Sequence, residues 1–156
     1  MLSEQTVWTL RDFHSPNLLW LAAREGIAKV GVLDFQDCVL GHPAYDVVSL
    51  LQDARVDVLE EEEVNLLAYY ASLRREGGAS FDIAGFLRAY AILGAQRATK
   101  ILGIFARLDE RDHKPQYLAH MPRVENYLGR NLRHPALAEL KYWYEENLPR
   151  IFEAAS

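Results

Sequence analysis

"VWTLRDFHSPNLLWL", residues 7–21, is the stretch on which the fold turns. Apolar residues run up to Arg11, Asp12, His14, Ser15, Pro16 and Asn17 and resume directly afterwards. The pattern predicts a strand over 7–10, a polar loop, and a second strand over 17–21. Further on, "KVGVLDF" at 29–35 is rich in Val and Leu and predicts a partner for the second strand, with turn material around Glu25-Gly26 closing a hairpin. If 18–21 pairs antiparallel with 29–33, Asn17 and Asp34 both fall at the open end of that hairpin. Paired strands lie about 5 Å apart, so the two side chains can converge there.

Two readings of these polar residues are open. In one, Asp12 and Asn17 are turn residues held by local side-chain hydrogen bonds, and Asp34 ends a strand. In the other, Asn17 and Asp34 supply hard oxygen ligands suited to Mg²⁺, an ion that keeps several waters and borrows phosphate oxygens. Asp12, on the same loop, would then aim a carboxylate at whatever the phosphate faces, the place for a base that orients a hydroxyl.

The bulk properties bound the rest. A chain of 156 residues is the usual size of one domain, taken here as 1–156, and is long enough to bury a core. Half the residues are hydrophobic and a quarter charged, as in ordinary soluble proteins. A formal charge of −5 argues against broad nucleic-acid binding, which needs a concentrated basic face. Cys38 is the single cysteine, so no internal disulfide can form, which fits a reducing compartment. No apolar run approaches the roughly 20 residues of a membrane span, and no basic-then-apolar leader pattern opens the chain; a cytoplasmic protein without a membrane partner is expected.

Past Gly41-His42-Pro43 the periodicity turns helical, with Pro43 suited to a first helical turn. Residues 60–76 open with four glutamates, read as a solvated first turn favoured by the helix dipole, and carry Leu66, Leu67, Tyr70 and Leu73 on one face. After Gly77-Gly78, residues 81–108 predict a long helix with Phe86, Leu87, Tyr90, Leu93, Ile101, Leu102 and Phe105 inward. Residues 116–132 and 136–151 complete the set, and Tyr117, Tyr127, Tyr142, Trp143 and Tyr144 are expected to pack in cores and interfaces. The expected fold class is α+β, mainly α-helical: a short β-hairpin bearing the polar loop, followed by about five helices.

"LRDFHSPNLLWL" and "VGVLDFQDCVLGHPAYDVVSLLQDAR" resemble the aminoglycoside phosphotransferase family, which has a protein-kinase-like fold. Within it the likeness is greatest to cell-wall amino-sugar kinases that phosphorylate N-acetylmuramate or N-acetylglucosamine at the anomeric hydroxyl. "ATKILGIFARL" and "HPALAEL" extend it along the chain. The resemblance implies ATP as co-substrate, Mg²⁺, and a small-molecule acceptor. It makes Asp12 the residue that takes or positions the acceptor's proton, Asn17 and Asp34 the metal ligands against the nucleotide phosphates, and Asp46 a structural brace of the loop. His14 could touch substrate or phosphate, or pack the loop. Arg97 and Lys100, one turn apart, could meet an anionic acceptor or form a solvated helix face. Leu10 stands where relatives often have histidine, and Gln36 where they have glycine or an acid.

Upstream of Val7 there is no Gly-rich phosphate loop and no candidate strand-borne lysine. The expectation is therefore a C-terminal lobe alone, weakly active or inactive by itself, with apolar surface that favours a homo-oligomer. Competing readings are an aminoglycoside or choline-like kinase lobe, a non-catalytic remnant acting through protein contacts, and a metal-dependent hydrolase built on Asp12, Asn17 and Asp34.

Overall fold

The computed structural model describes residues 6–77 and 81–153, which form four short strands and six α-helices. The strands are β1 (Val7–Thr9), β2 (Leu18–Trp20), β3 (Val30–Val32) and β4 (Val39–Gly41). β2 and β3 form the expected hairpin, with Leu18 opposite Val32 and Trp20 opposite Val30. β1 pairs instead with β4, Val7 opposite Gly41 and Thr9 opposite Val39. The strands flanking the polar loop thus belong to different ladders, and β1–β4 clamps the base of the whole excursion. The sequence pattern did not predict β4. Three residues before His42-Pro43 carry no alternation, and only the long-range pairing makes them a strand. Gly41 permits that pairing, since a Cβ there would lie 2.8 Å from Thr9 Oγ1.

The helices are α1 (Ala44–Leu51), α2 (Glu60–Glu76), α3 (Ile83–Asp112), α4 (Met121–Leu132), α5 (Ala138–Asn147) and α6 (Arg150–Glu153). α2 has the expected bounds. Gly78, expected in the turn after it, lies outside the described residues. α3 starts at its cap, where Asp82 Oδ1 accepts the Gly85 N–H at 2.9 Å, and ends on His113 at φ 53°. The helix expected over 116–132 divides into a 3₁₀ stretch, Pro115–His120, and α4; that over 136–151 breaks before Pro149 into α5 and α6. Six helices therefore stand where about five were expected.

α3 is the axis of the body. Its Ala89, Tyr90 and Phe86 meet Val48 and Leu51 of α1, and its Ala91, Ala95 and Ala98 meet Val124, Leu128 and Leu132 of α4. Small residues let the helix backbones approach closely. Gly94 is the tightest such point, for a Cβ there would sit 2.5 Å from Asn131 Nδ2.

Two expectations about faces need correction. Glu60, Glu61 and Glu62 are exposed, but Glu63 is buried. It accepts the Tyr90 hydroxyl (2.6 Å), the Gln52 amide (2.7 Å) and Arg130 Nη1 (2.7 Å). Glu63 shares its helix face with Leu67 and Tyr70, four and seven residues on, so the fourth glutamate turns inward while the first three are solvated. Leu66, Leu73 and, on α3, Leu87 are exposed rather than inward. Burial and the adjacent Glu63 charge push the Tyr90 phenol far above its ordinary range, so it stays a donor. Of the aromatics, Tyr127 and Tyr144 are buried and Tyr117 packs tilted against Phe105, whereas Tyr142 and Trp143 lie on the surface. Trp8, Trp20, Ile27, Phe35 and Leu40 are exposed on the strand side. No helix among the described residues is long and apolar enough to cross a membrane.

Candidate active site

The polar loop is shaped by its own backbone. Asp12 N–H donates to Leu10 O (2.9 Å), His14 N–H to Asp12 O (3.0 Å), and Asn17 N–H to His14 O (2.9 Å), the last closing a 3₁₀ turn over Ser15–Asn17. Arg11 holds φ 71°, a left-handed conformation that costs a non-glycine residue on the order of 1 kcal/mol and persists only where its surroundings enforce it.

The enforcing groups come from α1 and the residues just after it. Asp46 accepts the Leu10 N–H on Oδ2 (2.7 Å) and the Arg11 N–H on Oδ1 (3.0 Å). Ser49 Oγ donates to Arg11 O (3.4 Å), and Asp53 Oδ2 accepts the Ser15 N–H (3.0 Å) while its Oδ1 accepts the Arg55 N–H (2.9 Å). Asp46 and Ser49 lie one turn apart on α1 and face the loop together, and Asp53 follows just past the helix end. Ser49 and Asp53 are almost wholly buried, and each commits a side-chain oxygen to the loop.

Asp46 thus ties two successive loop amides to α1. Arg97 has a use that the sequence did not suggest: Nη1 donates to Arg11 O (3.3 Å), Nη2 to Ser49 Oγ (2.7 Å), and the guanidinium lies 4.8 Å over the Tyr45 ring. It is neither a solvated helix face nor a free cation. Sequence reasoning missed Ser49 and Asp53: the one-turn spacing of Ser49 from Asp46 was a signal for the first, and the second, past the helix end, had no local signal.

The open side contrasts with this. The Asp12 carboxylate takes no hydrogen bond from the described residues and faces a cavity of about 240 Å³ lined also by His14, Arg55 and Lys100. His14 Nδ1 is buried with no hydrogen-bond partner among the described residues. Asn17 Nδ2 donates to Asp12 O (3.0 Å), which fixes the amide and turns its Oδ1 away from the loop carbonyl. Leu33 N–H donates to Asn17 O (2.9 Å), so the hairpin carries Asp34 to the position just beyond Asn17's partner. Asp34 is exposed, holds φ 56°, and accepts the Gln36 amide on Oδ1 at 2.5 Å. Asn17 Oδ1 and Asp34 Oδ2 remain as uncommitted hard oxygens. No group of three or more His, Cys, Asp or Glu that could hold a metal occurs among the described residues. A site with one carboxylate and one amide suits Mg²⁺ that keeps waters and phosphate oxygens in its remaining positions.

Residues 1–82 match the sequence profile of the phosphotransferase enzyme family. An N-acetylmuramate/N-acetylglucosamine kinase of Caulobacter vibrioides is 48% identical over 147 residues, covering 94% of this chain and 39% of that protein. Kinases of the same name from Neisseria meningitidis serogroup B and Pseudomonas aeruginosa are 40% and 38% identical, covering 90% and 89% of this chain and 41% and 40% of those proteins. The chain spans about two fifths of the length of these relatives. The profile covers the loop, both ladders and α1, which are the elements that build the site. By that match, the chain belongs to the phosphotransferase enzyme family.

Proposed function

We propose that residues 1–156 form the C-terminal, acceptor-holding lobe of a protein-kinase-like enzyme that transfers the γ-phosphate of ATP to a hydroxyl of an amino sugar in the cytoplasm. The observation that carries this reading is the division of the loop: its backbone is pinned by Asp46 and Asp53, while the Asp12 carboxylate stays free before a cavity. The names of the relatives supply the substrate class.

Asp12 accepts the acceptor hydroxyl's proton, or orients that hydroxyl, from a backbone that cannot swing away. Asn17 and Asp34 hold Mg²⁺, which neutralises charge on the nucleotide phosphates when bound. Asp46 and Arg97 keep Arg11 in its left-handed conformation and so fix where Asp12 points. Positioning of this kind supplies much of the rate in phosphoryl transfer, which asks little covalent chemistry of the protein.

The test is phosphate transfer from labelled Mg–ATP to N-acetylmuramate, N-acetylglucosamine, an aminoglycoside or choline, at high protein concentration. Transfer to the amino sugars alone, reduced about 10²–10⁴-fold in Asp12→Asn, is the expected result. Transfer that survives Asp12→Asn would sink the assignment of the base, and transfer to choline or an aminoglycoside that of the substrate.

A further inference from the structure

The cavity before Asp12 carries more positive charge than a hydroxyl acceptor needs. Arg11, Arg55, Arg97 and Lys100 all line it, in a chain whose net charge is −5. Arg97 is spent on Arg11 O and Ser49, and both oxygens of the Asp53 carboxylate hold backbone N–H groups. The side chains of Arg55 and Lys100 are exposed and have no hydrogen bond or ion pair among the described residues. Ile101, Ile104 and Phe105, which follow Lys100 on α3, add apolar lining to the same cavity. His14 Nδ1, buried and unpartnered, adds a polar group that only a water or a ligand can satisfy. A cationic rim over an apolar wall fits a ligand with a carboxylate beside a small hydrocarbon group.

We propose that Arg55 and Lys100 form a carboxylate subsite that makes the cavity select an anionic amino sugar over its neutral counterpart. The inference rests on the amino-sugar reading above and assigns its specificity. N-acetylmuramate differs from N-acetylglucosamine by a lactyl ether, which places a carboxylate and a methyl group on the ring. The carboxylate pairs with the two free cations and the methyl group packs on the apolar wall. A bidentate guanidinium contact from Arg55 gives direction, and Lys100 adds a mobile point charge.

A nucleotide phosphate is the other anion that could meet these cations, and the experiment separates the two. Binding of N-acetylmuramate, N-acetylglucosamine and Mg–ATP to the 156-residue chain is measured by titration calorimetry at low salt, for wild type and for Arg55→Gln/Lys100→Gln. Both side chains are exposed and unpartnered, and the Arg55 N–H that Asp53 accepts survives the substitution, so the thermal midpoint should not move. Wild type is expected to bind N-acetylmuramate about tenfold more tightly than N-acetylglucosamine, and the double variant to bind the two alike with Mg–ATP unchanged. A preference that persists in the double variant overturns the proposal. So does a loss confined to Mg–ATP, which gives the cations to phosphate. Equal binding of the two sugars by wild type overturns the subsite but leaves the amino-sugar reading standing; binding of neither sugar overturns both.

Discussion

The loop at 10–17 has two sides, and they use their polar groups in opposite ways. Toward α1 and α3, Asp46, Ser49, Asp53 and Arg97 are all committed to the loop backbone or to one another. The Asp12 carboxylate, before its cavity, and the outer oxygens of Asn17 and Asp34, toward the hairpin, are left without protein partners among the described residues, and Trp20, Phe35 and Leu40 stand exposed nearby in sequence. The difference teaches where the site's precision comes from. Three-residue strands cannot hold a loop side chain to a few tenths of an ångström, so the packed helical side does it through carboxylates that reach across.

If the helical body is the source of rigidity, loosening it should cost most. Glu63 and Arg130 form an ion pair whose side chains are each only 8% exposed, and Glu63 also takes bonds from Tyr90 and Gln52. Glu63→Ala leaves the Arg130 charge buried and unpaired, which should lower unfolding free energy by about 3–5 kcal/mol in urea titration. A loss below about 1 kcal/mol, the size of a surface pair, would mean that the network is solvated in solution and contributes little to the body.

The second test acts on the seam itself. Asp46→Asn keeps one acceptor but turns an amide N–H₂ toward a backbone N–H that had a carboxylate oxygen. Unfolding free energy should fall by about 1.5–3 kcal/mol, the range for a hydrogen bond to a charged group. Hydrogen exchange should speed up at the Leu10 and Arg11 amides and hold steady in α3. Uniform acceleration through α3 would show that the seam and the body melt together, with no separate rigidity on the helical side.

How much of this was legible in the sequence depends on the range of the forces involved. The hairpin was readable because Leu18–Trp20 and Val30–Val32 are local, β-rich and separated by turn residues. α2 was readable to its bounds because periodicity and caps act within a few residues. β4 was not, since its three residues become a strand only by meeting β1 from the far end of the excursion. The same limit hid Asp53. A lone aspartate after a helix looks like a C-terminal turn residue until the Ser15 N–H arrives from 38 positions away. Glu63 was misread for a different reason: four glutamates in a row suggest one solvated block, and only their phase relative to Leu67 and Tyr70 separates the fourth.

The smallest expected effect sits where the strand side joins the helices. His42 ends the excursion; its Nδ1 accepts the Ala44 N–H at the start of α1 (3.1 Å), and its ring stacks near Phe86. Burial holds its pKa below the ordinary 6.5, so the fold favours the neutral ring. Above 6.5 the ring is neutral in both folded and unfolded chains, and the cap is intact. As pH falls below that value the unfolded chain takes up a proton first, and stability declines until the folded ring titrates as well. Protonation also replaces the acceptor at Nδ1 by a donor that opposes the Ala44 N–H. His42→Asn keeps a capping acceptor without the titration, so its urea midpoint should drop less than that of wild type between pH 7.5 and 5.5 (about two units spanning the titration). Because both proteins keep every other histidine, the difference between the slopes belongs to position 42. Equal slopes would mean that the junction is open to water, and that the committed side of the loop begins at Asp46 rather than at His42.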